Sequence, residues 1–428
     1  MLLKNDKHLL LSLGILTFFA ASYNINFLGS SLSVSVGEFV FLGALFFYFL
    51  GVLSQKRKIY VNTVAGLLLS ISLVGFFSVI NAFDYGRFLV GFFNYIEAAL
   101  IFIFIINLQF SDKSLRTMFM VYILSAGVLS IRIIFQTYFV NNGNFIIGNK
   151  IAMDVGGSNY LASLLLLPLI MSLTLLMQAG KAKSIIFYLI MMVMLSTSIV
   201  FTGSRTALLI LAVLVPMFFI SDIVQSKQPL RQKILNIVVV LIGTGLAYRF
   251  FEEFIKQMIV QGRFENLIYQ SNVTARYTIF TDYFKAFLNH PFLGNGFMNV
   301  QSQGILIWAH NSFLQIFADA GVLAGCLFIA LILVTFKSLK AILMIVQDKF
   351  LRSCIVGYRR GFFALFLHGL FEPNFGTKLF MVYVFIGLAL VFVSYRIMIQ
   401  STHPNGSIDK SELLVMRLRK GIIGIKNI

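Results

Sequence analysis

Two arginines and a histidine stand where an apolar chain has little reason to put them. Arg205 lies in the turn "FTGSRTALL", Arg276 near the start of "ARYTIFTDYFKAFLNHPFLGNGF", and His310 at the mouth of "WAHNSFLQIFADAG". Guanidinium groups bind phosphate oxygens bidentately and do not deprotonate. Two of them suit a diphosphate, whose charge they neutralise as it develops on a leaving group. A histidine titrates near neutrality and can take the proton of an attacking hydroxyl. The set suits glycosyl transfer from a diphosphate sugar whose lipid tail lies in a bilayer. No acidic pair of the DxD kind accompanies it to hold a divalent metal, and arginines that neutralise the leaving group make one unnecessary.

Each residue also has a plainer reading beside the chemical one. Gly203 permits a tight turn before Arg205, and Ser204 is placed to cap the helix that follows. Arg205 is then either an interfacial anchor or a ligand-binding group. Counted at about 100° per residue from His310, Gly321 falls on the same helical face, flanked by Ala324 and Gly325. Small residues there let another helix approach, which turns the ring toward the protein interior. The alternative is an ordinary interfacial histidine with Asn311 beside it. Tyr277, Phe280, Phe284, Phe287 and Leu288 recur at helical spacing and face either the membrane surface or the bundle. His290, ahead of Pro291, reads as a turn residue.

These positions must be held by a membrane domain. Hydrophobic residues make up 59% of the 428 and charged residues 12%, against roughly 25% charged in soluble domains. The formal net charge is +18. The basic residues sit between apolar runs, which points to membrane topology and not to nucleic acid. A span needs about 20 mostly apolar residues. By that measure the chain is all-α, a polytopic helical membrane protein of about twelve spans: 9–29, 38–54, 60–81, 88–108, 117–140, 159–178, 184–202, 205–222, 234–251, 312–336, 353–371 and 379–398. The first run follows Lys4 and Lys7 and is long enough for a helix that spans, not a signal segment.

Lysine and arginine fall on alternate loops, which places both termini in the cytoplasm. One long loop, about 250–311, then lies outside, between the ninth and tenth spans. Residues 1–400 read as one transmembrane domain and 401–428 as a basic amphipathic tail on the inner leaflet. Cys326 and Cys354 lack metal-ligand spacing and read as packing residues. Glu97 and Arg132 both count to about 12–14 Å below the outer surface, and are expected to pair. Arg359 and Arg360 either snorkel to the inner surface or line an internal cavity.

Several stretches, in order, resemble the bacterial O-antigen ligase and O-antigen polymerase superfamily. They are "GGSNYLASLLLLP" (156–168), "TGSRTALL" (202–209), "ARYTIFTDYFKAFLNHPFLGNGF" (275–297) and "HNSFLQIFADAGVLAG" (310–325), within roughly residues 150–395. The last departs from the family pattern at Ala324, where Gly, Thr or Tyr is usual. The resemblance implies a multi-pass enzyme of the bacterial inner membrane with its site facing the periplasm. Its donor would be an undecaprenyl-diphosphate-linked glycan, with no cofactor, metal or nucleic acid. The acceptor would be lipid A–core for a ligase or a second lipid-linked glycan for a polymerase; a protein acceptor is a third class. By the same resemblance Arg205 and Arg276 bind the diphosphate and His310 activates the acceptor hydroxyl, with inversion at the anomeric carbon. Ser204, Asn311 and Gly321 support them. A transporter is the rival class, but the internal repeats and broken helices it favours are not apparent in the sequence.

Overall fold

The computed structural model describes residues 3–27, 30–55, 59–140, 153–154, 156–225, 252, 270–300 and 308–402. The expected ninth span, parts of the long loop and the basic tail lie outside them. Among the described residues the helices are α1 (Leu3–Leu16), α2 (Val36–Gln55), α3 (Thr63–Phe76), α4 (Tyr85–Asn107), α5 (Asp112–Phe135), α6 (Ser158–Gln178), α7 (Ala182–Thr202) and α8 (Arg205–Gln225). They continue with α9 (Gln270–Asn289), α10 (Ser312–Ile345), α11 (Lys349–Gly369) and α12 (Lys378–Thr402). Eight of them, α2 to α7, α10 and α12, are long and apolar enough to cross a membrane. The protein is a polytopic helical membrane protein. Helix α8 is apolar over the shorter stretch Arg205–Ser221. Helix α11 carries Lys349, Arg352, Arg359 and Arg360.

The expected first span is not one helix. It stops at Leu16, and an antiparallel hairpin of β1 (Ser22–Phe27) and β2 (Ser30–Ser35) follows. The register pairs Tyr23 with Val34, Asn24 with Ser33 and Ile25 with Leu32. Alternation of apolar and polar residues every second position is a strand signal, and in this stretch it prevails over mean hydropathy.

Local signals start the helices. Asn62 caps α3 through the backbone N–H of Ala65, Asp84 caps α4 through Arg87, and Ser111 forms a capping box with Ser114 at α5. Such caps are worth about 1 kcal/mol each. Helices α6 and α12 lie at the centre, with almost every side chain of α6 buried. Helix α6 packs on α11 and α7, and α12 on α4. Glycine permits the closest of these contacts: a Cβ at Gly361 of α11 would stand 2.9 Å from Leu167 Cα of α6.

Glu97 and Arg132 do not pair. Arg132 donates to the carbonyl of Phe19 at 2.7 Å and to Asp154 Oδ1 at 2.5 Å. Glu97 and Glu38 instead share Lys378, whose Nζ stands 3.4 Å from a carboxylate oxygen of each. Counting residues along a helix gives height but not bearing around the bundle, and the two groups point to different neighbours.

Asp154 ties the hairpin to the bundle, accepting from both the backbone N–H and the hydroxyl of Ser22 as well as from Arg132. Partial burial raises its pKa, but these hydrogen bonds and the guanidinium outweigh burial and hold it below the ordinary value. A lowered carboxyl pKa contributes stability that is complete above the ordinary value of 3.8 and is lost as the pH falls through the lowered one. Asp154→Asn is therefore expected to lower the melting temperature at neutral pH. The gap to wild type should close at about pH 3. An equal gap at both pH values would show that charge plays no part.

Candidate functional site

The site is built around a break in α10. Gly321 has φ 79° and ψ −179° inside the helix, a conformation open essentially to glycine alone. The loop that follows α9 docks into the break. Asn295 N–H donates to the Ala318 carbonyl at 3.0 Å, Gly296 N–H to Asp319 at 2.9 Å, and Val322 N–H to Pro291 at 2.8 Å. The Asn295 side chain bridges the carbonyls of Ala286 and Ala318. Gly294 and Gly321 let the two backbones touch, since a Cβ at Gly294 would lie 2.4 Å from the Asp319 carbonyl. His290 is the turn residue expected, its carbonyl accepting from Gly294 at 2.8 Å.

This geometry corrects the helical count made from His310. The histidine lies outside the helix, at φ 49°, and Asn311 is the N-cap, accepting from Phe313 and Leu314 at 2.9 Å each. Gly321 therefore serves the approach of a loop backbone, not of a neighbouring helix on the histidine's face. The break in α10 was also not anticipated, because a glycine in an apolar helical run carries no break signal of its own.

Helix α9 divides its apolar residues between two faces. Tyr283 and Ala286 are buried against Val300, Ala309 and Ala318. The Phe287 ring meets Phe317 at 5.8 Å, while Tyr277, Phe284 and Leu288 are exposed. One end of this helix presents Arg276.

Four chain segments meet at Glu372, in the turn between α11 and α12. Its side chain is 4% exposed. One oxygen, Oε2, stands 3.0 Å from His310 Nδ1. The other, Oε1, accepts from Asn159 Nδ2 at 2.6 Å and from an Arg276 guanidinium nitrogen at 3.4 Å. The turn is fastened to α10 by the residues after the histidine. Asn311 Nδ2 donates to the Leu370 carbonyl at 2.9 Å, and Ser312 Oγ to the Glu372 carbonyl at 2.8 Å. Gln315 reaches from Ala309 N–H to Asp319 Oδ2 and braces the histidine from behind. His310 and Arg276 keep 26% and 41% of their side chains exposed. The carboxylate is hidden, and two of its three partners, His310 and Arg276, are accessible. Among the described residues no three His, Cys, Asp or Glu side chains converge.

The structure thus joins His310, Arg276 and Asn311. It does not join Arg205 to them by any contact among the described residues. Gly203 takes the left-handed conformation at φ 64°. Ser204 Oγ accepts from Ala207 N–H at 3.4 Å, as the turn was expected to require. Arg205 is half-buried and bonds to no described residue. Helix packing nonetheless sets it at the same end of the bundle. Ile210 and Leu214 pack with Ile170 and Ala364. Arg205 precedes Ile210 by about 8 Å of helix, and the end of α11 rises a similar distance beyond Ala364.

The segment that carries most of these side chains also matches a known family. Residues 189–329 match a family model described as O-Antigen ligase. Over this segment the chain is similar to the O-antigen ligase and polymerase superfamily. The match covers about a third of the chain, from α7 into α10, and includes Ser204, Arg205, Arg276, His310, Asn311 and Gly321. It is narrower than the resemblance read from the sequence, and leaves out 156–168. Asn159 and Glu372 lie outside it. No curated protein gives a match to the chain. The match supports a function of the ligase or polymerase type in general, among glycosyltransferase-like enzymes of the membrane. Sequence reasoning missed Glu372 altogether. The available signal was a single carboxylate next to Pro373, in a short turn between two apolar helices.

Proposed function

We propose that this site moves a glycan from undecaprenyl diphosphate to an acceptor hydroxyl, on lipid A–core, at the periplasmic face. The observation that carries the reading is the placing of His310 and Arg276 on the two oxygens of one buried carboxylate. Glu372 accepts a hydrogen bond from Nδ1–H of the histidine and so leaves Nε2 with a free lone pair. The acceptor hydroxyl gives its proton to Nε2 as its oxygen attacks the anomeric carbon. The bond from that carbon to the diphosphate breaks, and its electron pair leaves with the diphosphate. Attack opposite the leaving group inverts the centre. Arg276 and Arg205 neutralise the charge that develops, a task otherwise given to a metal ion. The alternative is a polymerase, whose acceptor would be a second lipid-linked glycan; both reactions need the same leaving-group clamp and base.

The test is a reconstitution in nanodiscs with undecaprenyl-diphosphate glycan, lipid A–core and a chelator. A glycan ladder on lipid A–core is expected. Growth of the ladder on undecaprenyl diphosphate would make the protein a polymerase instead, and no product would overturn both. Arg276→Ala and Arg205→Ala are each expected to lower turnover about 100- to 1,000-fold, the usual cost of one charge-stabilising donor. Variants as active as wild type would reduce the arginines to anchors.

A further inference from the structure

A second polar feature lies at the far end of the bundle from His310. Helices α8, α10 and α11 line an open cavity of about 960 Å³. Its walls include Phe218 from α8, Phe336 and Lys340 from α10, and Arg352, Arg359 and Arg360 from α11. The spacing is helical throughout. Arg352, Val356, Arg359 and Phe363 recur at intervals of four, three and four residues, and so line one face of α11. Lys340 follows the start of α10 by 28 positions, roughly 40 Å of helix, so the cavity is remote from the transfer site.

Its electrostatics are one-sided. Among the described residues, four cations line it and no carboxylate does. Arg352 is partly engaged, donating to the carbonyls of Leu343 and Val346. The guanidinium of Arg360 lies 5.0 Å over the Phe218 ring. Lys340 and Arg359 make no bond with any described residue. Arg359 stands about 10 Å farther along α11 than Arg352, which carries positive charge well into a spanning bundle. Charge at that depth is costly unless a cavity or a counter-charge receives it. Topology accounts for cations in loops, but not for two adjacent arginines halfway along a helix. Both arginines stand on the wall of the cavity.

We infer that this cavity binds the headgroup of an anionic phospholipid, with its phosphate between Lys340 and Arg359. The apolar walls suit acyl chains. Phe336 is half-buried and Met217, also lining the cavity, is 47% exposed. Basic pockets between spanning helices are suited to such headgroups.

The experiment uses the full chain, delipidated in neutral detergent and titrated with phosphatidylglycerol or with phosphatidylcholine. Bound lipid is counted by native mass spectrometry, and folding is followed by thermal unfolding. Phosphatidylglycerol is expected to bind at least about tenfold tighter than phosphatidylcholine. The double variant Lys340→Gln with Arg359→Gln should lose that preference. Lys337→Gln with Lys349→Gln removes the same charge outside the cavity and should keep it. Glycerol 3-phosphate, which has the anion but no chains, should not displace the lipid at equal concentration. Equal binding of the two lipids, equal losses in both double variants, or displacement by glycerol 3-phosphate would each overturn the inference. Because the readout is binding, it stands or fails independently of glycan transfer.

Discussion

His310→Ala is expected to lower the turnover of glycan transfer about 100- to 10,000-fold, the range over which a positioned general base acts. Glu372→Gln should fall within the same range while leaving His310 in place. A glutamine amide at that position can turn its nitrogen toward Nδ1, which then serves as acceptor and leaves the proton on Nε2, where the base is needed. Glu372 is a positioning residue in this scheme, and three measurements separate that role from simple support of the fold. Donor affinity should change far less than turnover. Glu372→Asp should restore part of the rate, because it keeps the charge and the acceptor atoms. The double variant His310→Ala with Glu372→Gln should be no slower than His310→Ala alone, since groups acting as a unit are not additive. Multiplying losses would mean that the two residues act separately, and the proposed pairing would be wrong.

Gly321→Ala should cost at least about 3 kcal/mol of stability. Two independent terms add at this residue. A backbone at φ 79° and ψ −179° strains any side chain, by about 1–3 kcal/mol. The new methyl would stand 2.1 Å from the Phe292 carbonyl oxygen and 2.5 Å from its carbon. Backbone cannot swing aside as a flexible side chain can, because Val322, Asn295 and Gly296 hold the loop by hydrogen bonds on both sides. Gly66→Ala is the matched control. It lies within α3 with nothing within 4 Å of the added atom, so alanine there should be neutral or stabilising by up to about 1 kcal/mol. Thermal unfolding of both variants in one detergent decides the matter; a Gly321→Ala protein as stable as Gly66→Ala would remove the interlock from the account.

Hydropathy made most of the helices legible. Runs of about 20 apolar residues have no other stable use in such a chain, and α2 to α7, α10 and α12 fall where those runs lie. The hairpin was lost to averaging: Ser22, Asn24 and Asn26 alternate with Tyr23, Ile25 and Phe27, and a window mean erases alternation. His310 and Asn311 drew notice because a polar side chain at the edge of an apolar helix is costly, and Arg276 through the resemblance of the stretch 275–297. Glu372 did not, since its importance depends on two segments lying 62 and 96 residues away. Lys378 escaped notice for the same reason, as the partner of Glu38 and Glu97 through contacts across the bundle.

The loop wedged into α10 has a kinetic consequence. Arg276 is carried by α9, whose end runs into the loop that fills the break, and His310 stands just before the helix that is broken. Main-chain bonds at Pro291, Asn295 and Gly296 fasten these parts to one another. Under the proposed function, the entropy lost in bringing cation and base into register would be lost once, when the chain folds, and not again in each catalytic cycle. A substrate arriving from the bilayer would then meet a surface that needs little rearrangement. The speed of turnover would then be set by how fast a bulky glycan enters and leaves, not by closure of the protein around it.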